Sequence, residues 1–172
     1  ILDRGDWITP MWWEAISLDR TIGIQYLIAL SQKFFGENVY SIFIPTTSAA
    51  CLFLYFTYDL HKELIGDKKA IFSPLILGTT FLWINYSHLA TQDIVFSSIV
   101  TSGILFSIKA TKLNKNKYFF LSGLWIGLGV FFKTYLVIIP LVAILPYLYI
   151  YKILFKRAFW IGLLFGFLPF IF

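Results

Sequence analysis

The chain has little cysteine and little charge. Its one thiol, Cys51, lies in the apolar run Ala49–Phe56, so neither a disulfide framework nor a thiolate metal site can be built within these 172 residues. It reads as a small hydrophobe. Charged residues make up 13%, against 59% hydrophobic and 20% aromatic, and mean hydropathy is +0.78. An ordinary soluble domain carries about a quarter charged residues, which excludes water as the solvent for most of this surface. The net charge of +5 is explained first by basic loops beside a membrane, and no nucleic-acid partner is expected. No initiator methionine opens the chain, the last apolar run, Ala158–Phe172, has no flank, and the lack of a secretory n-region and cleavage site at these ends says nothing about targeting of the parent protein. The expectation is a chain cut at both ends.

What is present is a series of apolar runs separated by short charged stretches. A hydrocarbon core of about 30 Å needs about 20 helical residues. From Ile1 to about Gln32 the sequence mixes Trp7, Trp12, Trp13, Glu14, Asp19 and Arg20 with the breakers Gly5 and Pro10, an interfacial composition. Ile24, Leu27, Ile28 and Phe35 recur at helical spacing, which predicts a surface-lying helix ended by Gly36 and Asn38. Tyr40–Leu60 reads as the first span and Asp59–Lys69 as a charged loop. The run Ala70–Ile108 has 39 residues and would be about 58 Å long as one helix, so it must turn back. Its mid-run polar cluster, Asn85, Ser87, His88, Thr91, Gln92 and Asp93, marks the turn. The 34 residues of Tyr118–Tyr151 pose the same problem, and Lys133–Thr134 is the turn that lifts the run's one charge out of hydrocarbon. Residues 39–172 therefore read as about six spans, the last cut off.

Counting Lys and Arg gives an orientation. Lys62, Lys68 and Lys69, then Lys109, Lys112, Lys115 and Lys117, then Lys152, Lys156 and Arg157 fall in three loops on one side. The positive-inside rule assigns these loops to the cytoplasm. The N-terminal segment, the Asn85–Asp93 turn and the Lys133 turn then share the outer face, bringing Asp19, Arg20, His88, Asp93 and Lys133 together. Each has a plainer reading: Lys133 as a cation snorkelling to headgroups, Asp19–Arg20 as a solvated pair, His88 as a hydrogen-bonded interfacial residue, Asp93 as a helix cap. Trp12 and Trp13 fit an aromatic belt. Against these stands the cost of ionisable groups in lipid, and two cations with nearby carboxylates suit a lipid-linked phosphate.

Several short segments carry a resemblance. Gly5-Asp6-Trp7-Ile8-Thr9-Pro10, Asp19-Arg20, Tyr26–Leu30 and Phe35-Gly36-Glu37-Asn38 resemble the first outer loop of the membrane glycosyltransferases related to aminoarabinose transferase and protein O-mannosyltransferase. Thr91-Gln92-Asp93 resembles that family's acidic position after the third span, and Gly127–Thr134 running into Pro140 and Pro146 resembles its Lys-Gly segment and proline-rich helix. The match runs in order through the whole chain.

The resemblance implies an all-α, polytopic helix bundle of GT-C type, with residues 1–172 as one truncated transferase domain and residues 1–38 as its outer juxtamembrane loop and helix. It implies transfer of a sugar from a polyprenyl- or dolichyl-phosphate donor to a lipid, glycan or protein acceptor. The implied partners are that lipid-linked sugar and membrane lipids, in a bacterial-type plasma membrane rather than the endoplasmic reticulum. The implied roles are donor-phosphate contacts for Arg20 and Lys133, a second acidic group for Asp93, and substrate-site positions for Asp19 and His88. Asp19 could also join a divalent metal site, as in some relatives. The family's main acid would precede Ile1, so residues 1–172 alone are expected to be inactive. The family's Lys-Pro is Arg20-Thr21 here and its Lys-Gly is Lys133-Thr134. A transporter or flippase of lipid-linked intermediates is the alternative from another class.

Overall fold

The computed structural model describes residues 22–170 and, ahead of them, strands β1 (Met11–Trp12) and β2 (Ala15–Ile16), paired antiparallel with Met11 opposite Ile16. The remaining regular structure is helical. Helix α1 (Gly23–Phe35) buries Ile24, Ala29 and Ser31 and stops at Gly36, whose φ of 82° is left-handed. Asn38 then starts α2 (Val39–Ile65) with a capping box: its side chain accepts from the Ser41 amide at 2.9 Å, and Ser41 Oγ accepts from the Asn38 amide at 3.3 Å.

The expected first span ended at Leu60, followed by a charged loop. Helix α2 instead continues to Ile65. The reason is that its last acids find partners on α5 (Gln92–Leu113): Lys109 donates to Asp59, and Lys112 donates to Glu63 Oε2 at 3.1 Å. Asp59 and Lys109 are 15% and 17% exposed, so the pair is largely shielded. Nearer the other end of α2, Ala49 and Ala50 cluster with Ile94 and Val95 of α5. Helices α2 and α5 therefore run parallel.

Parallel neighbours need a return pass between them. That pass is α3 (Phe72–Gly78) and α4 (Phe81–Ser87), bent by 68°. The sequence marks one turn in the run Ala70–Ile108, within Asn85–Asp93, and the structure adds a break ahead of it. Gly78 ends α3, and Thr80, with extended backbone, starts α4 by accepting from the Trp83 amide at 3.3 Å. The His61 ring bonds Ser73 Oγ and ties α3 to α2.

The turn predicted within Asn85–Asp93 is present, and α5 begins at Gln92. Asn114, left-handed at φ 47° and ψ 39°, ends α5. Helix α6 (Asn116–Lys133) returns, a 3₁₀ turn covers Thr134–Val137, and α7 (Ile138–Ile150) follows. Lys133 reaches Asp93 at the start of α5, whereas the Tyr147 hydroxyl lies 2.8 Å from Thr111 Oγ1 near its end. Those α5 positions are about 27 Å apart along the axis, so α7 runs back beside α5 and the predicted hairpin forms.

Helix α8 (Arg157–Gly166) packs along α6 in parallel through paired glycines. A β-carbon on Gly123 would lie 2.0 Å from the Phe159 carbonyl oxygen, and one on Gly127 2.4 Å from Gly166 C. On the facing helix, a β-carbon on Gly162 would lie 1.9 Å from the Phe120 oxygen, and one on Gly166 2.3 Å from that of Leu124. The backbones touch because both helices carry glycine at a spacing of four. Trp125, 2% exposed, fills the opposite side of α6 against Gly103 of α5.

Three helical stretches, Val39–Ile65, Gln92–Leu113 and Asn116–Ile150, are long and apolar enough to cross a membrane, and the bent α3–α4 pair makes a fourth. The third stretch contains two passes, α6 and α7. Large apolar side chains point outward throughout, among them Ile76, Phe81, Ile139 and Phe155. Lipid tails solvate such a surface and water does not. The chain is an all-α, multi-pass membrane bundle.

Candidate functional site

The two predicted turns meet. Thr91, with extended backbone (φ −114°, ψ 159°), precedes α5, which puts Asp93 in the first turn, where the helix dipole favours a carboxylate. Lys133 is the last residue of α6, where the dipole favours a cation. Lys133 Nζ donates to Asp93 Oδ1 at 2.7 Å. The lysine side chain is 18% exposed and the aspartate 43%, so one partner is shielded and the other opens outward. Lys133 is thus a held cation, not one extended toward headgroups. An ammonium has three donors, and the ion pair uses one of them.

Beyond Lys133 the chain leaves through Thr134 at φ 46° and ψ −111°. A β-branched residue is costly there, by about 1–3 kcal/mol. This is the position at which the resembled family has glycine.

Of the remaining predicted residues, His88 stands apart from the pair. His88 caps the end of α4; its Nδ1 lies 2.7 Å from the Ile84 carbonyl oxygen and 3.1 Å from Ser87 Oγ. No hydrogen bond joins it to Asp93 or Lys133 among the described residues. Asp19 and Arg20 lie outside the described residues. The described chain resumes at Ile22, and a β-carbon on Gly23 would meet Phe132 Cδ1 at 2.8 Å, so α1 starts against the residue preceding Lys133. No group of three or more His, Cys, Asp or Glu occurs among the described residues, so they supply no ligand set for a divalent ion.

Two features of the site have no counterpart in the sequence reading. An apolar groove of about 550 Å³ runs between α1, α2, α5 and α6, lined by Leu27, Phe34, Pro45, Leu52, Val95 and Phe132 among others. Val95 and Phe132 of this lining are close in sequence to Asp93 and Lys133, which are not among the described residues that line it. Buried polar atoms without a hydrogen-bond partner among the described residues also flank the start of α5: Thr91 Oγ1 and Trp83 Nε1. A hydroxyl two residues before an acid was visible in the sequence, but its burial was not.

Residues 19–172 match the model of the dolichyl-phosphate-mannose-protein mannosyltransferase family. The chain belongs to that family. Among similar curated proteins is the undecaprenyl phosphate-α-4-amino-4-deoxy-L-arabinose arabinosyl transferase of Pseudomonas aeruginosa (strain UCBPP-PA14), 25% identical over 150 residues, which are 84% of this chain and 27% of that protein. Its namesake in Pseudomonas savastanoi pv. phaseolicola is 23% identical over 153 residues, 86% of this chain and 29% of that protein. The crystal structure of ArnT from Cupriavidus metallidurans bound to undecaprenyl phosphate superposes with a TM-score of 0.85 at 14% identity, covering 98% of this chain and 34% of that one. The chain thus spans about a third or less of these relatives, and its fold is that of the matching part of the ArnT structure.

Proposed function

We propose that this chain is part of a membrane glycosyltransferase that takes a sugar from a polyprenyl- or dolichyl-phosphate carrier and transfers it to an acceptor hydroxyl. The work is done at the outer face of a bacterial plasma membrane. Residues 39–172 supply about six spans and residues 1–38 the outer juxtamembrane segment. The observation that carries the reading is a shielded cation held by Asp93 in a bundle that also carries an apolar groove: Lys133 for a phosphate, and the space between α1, α2, α5 and α6 for the isoprenoid chain. Undecaprenyl phosphate, named for the similar proteins, is a ligand of that kind. The flippase alternative finds no support among these matches.

As the glycosidic bond breaks, negative charge grows on the departing phosphate, and a cation fixed beforehand stabilises it most. Asp93 fixes Lys133, and its exposed side faces the acceptor as the candidate second acid. Arg20, whose role the family resemblance implies, is the proposed second contact to the same phosphate. Transfer is inverting, with a carboxylate activating the acceptor hydroxyl.

The test is donor length. In the full-length protein, Ser48→Phe on the exposed lip of the groove should raise KM about tenfold for a long polyprenyl-phosphate sugar and leave a two-isoprene analogue unaffected. Absence of transfer from any polyprenyl-phosphate sugar would sink the function; an equal effect on both donors would sink the groove assignment.

A further inference from the structure

The end of the bundle opposite Asp93 carries a concentration of cations that the transfer chemistry does not use. The chain has no Asp or Glu after Asp93, yet eight Lys or Arg follow it. Three of the eight have carboxylate partners: Lys133 with Asp93, Lys109 with Asp59, and Lys112 with Glu63. The other five, Lys115, Lys117, Lys152, Lys156 and Arg157, are exposed and pair with no carboxylate among the described residues. The remaining acid of the α2 end, Asp67, is taken by Lys62 at 2.9 Å.

The five cations come from two loops far apart in sequence, and the fold joins them. Parallel glycine packing of α6 on α8 sets the starts of these helices side by side. Lys156 crosses from the α7–α8 loop to lie 5.2 Å from the centre of the Phe119 ring, in the first turn of α6. Lys152, left-handed at φ 55°, turns the chain into that approach. Neither helix has an acid in its first turn or a side-chain cap, so the positive ends of both dipoles add to the field of the side chains. Around the patch stand exposed interfacial aromatics, Tyr149, Tyr151, Phe155 and Trp160. Such rings settle at headgroup depth.

We infer that the Lys115–Lys117 loop and the Lys152–Arg157 loop together bind the headgroup of an anionic phospholipid at the membrane face opposite the ion pair. The occupant follows from charge and depth: a surface with five uncompensated cations, ringed by headgroup-level aromatics, complements a lipid phosphate that carries net negative charge. A zwitterionic headgroup brings a competing cation into the same space. The inference concerns residues outside the proposed transfer site and stands without it.

Native mass spectrometry of the full-length protein, titrated with phosphatidylglycerol or phosphatidylcholine, tests it. Phosphatidylglycerol should bind at least about tenfold more tightly, and Lys117→Gln/Lys156→Gln should remove most of that preference. Lys117→Arg/Lys156→Arg should retain it, as should Lys68→Gln/Lys69→Gln, which removes equal charge from the α2–α3 connection. Equal affinity for the two lipids would overturn the inference. So would an unchanged preference in the double Gln variant, the result expected if another segment of the protein covers the patch. Full competition by inorganic phosphate at matching concentration would overturn the lipid assignment. Should the Gln pair fail to fold, Lys115→Gln/Lys152→Gln, two exposed loop positions, gives the same reading.

Discussion

The Lys133 ammonium reaches the Asp93 carboxylate at 2.7 Å across 40 positions of sequence, joining the end of α6 to the first turn of α5. Two roles overlap in this contact, holding the bundle end together and presenting a cation to substrate. They can be separated. Lys133→Ala and Asp93→Ala should each lower kcat/KM for the lipid-linked donor about ten- to a hundredfold, the worth of a charge-assisted contact. The exchange Asp93→Lys/Lys133→Asp keeps a pair but sets both charges against the helix dipoles, so it should recover part of the thermal midpoint in detergent and not the transfer rate. If the exchange restores both, the pair is structural and the phosphate role is wrong.

Thr134 follows Lys133 with φ 46°, where a β-branched side chain is disfavoured. Thr134→Gly should raise stability by about 1 kcal/mol, relief of backbone strain outweighing the added freedom of the unfolded chain. Scanning fluorimetry reads it. A lower midpoint for Thr134→Gly would mean that the threonine side chain makes compensating contacts.

The α6–α8 interface should be intolerant of a single methyl. Gly123→Ala and Gly162→Ala place carbon within about 2 Å of backbone oxygen, and backbone cannot yield as a side chain can. Each should cost about 3 kcal/mol or prevent folding. Gly78 is the control: its nearest neighbour would be Leu54 Cδ2 at 3.7 Å, and Gly78→Ala should be neutral or mildly stabilising. Equal tolerance at all three positions would contradict the close packing.

These sites mark how far the sequence could be read. The turn at Lys133–Thr134 was legible because a charge inside a run too long for one crossing has few places to go. The start of α5 was legible because six polar residues interrupt an otherwise apolar stretch. Extension of α2 to Ile65 was not, because His61, Lys62 and Glu63 look like loop residues until Lys109 and Lys112 stand opposite them. The α3–α4 break falls at Gly78-Thr79-Thr80, residues that membrane helices also tolerate without breaking. The glycine spacing at Gly123/Gly127 and Gly162/Gly166 was readable as a packing motif, though which helix it meets is a property of the fold. Pairing of Lys133 with Asp93 was half legible: one face could be argued for both, whereas direct contact depends on side-chain reach.

Topology is the most direct test of the arrangement. Helices α5 and α6 form an antiparallel hairpin whose connection carries Asn114, with Asp93 and Thr134 at its open end. Asn114 is exposed and left-handed, and Thr134 is exposed at the opposite pole. Lys109 and Lys112 near the end of α5, Lys115 in the connection and Lys117 at the start of α6 gather at this pole, and the positive-inside rule assigns it to the cytoplasm. Cys51 is exposed on α2, so labelling needs a Cys51→Ser background. There, Asn114→Cys in sealed right-side-out vesicles should resist a membrane-impermeant maleimide until the membrane is permeabilised, whereas Thr134→Cys should react at once. Inverted vesicles should exchange the two results. If both positions label from one side in either preparation, the chain does not cross between Asn114 and Thr134. The ion pair at Asp93 would then have no outer face on which to meet a lipid-linked sugar.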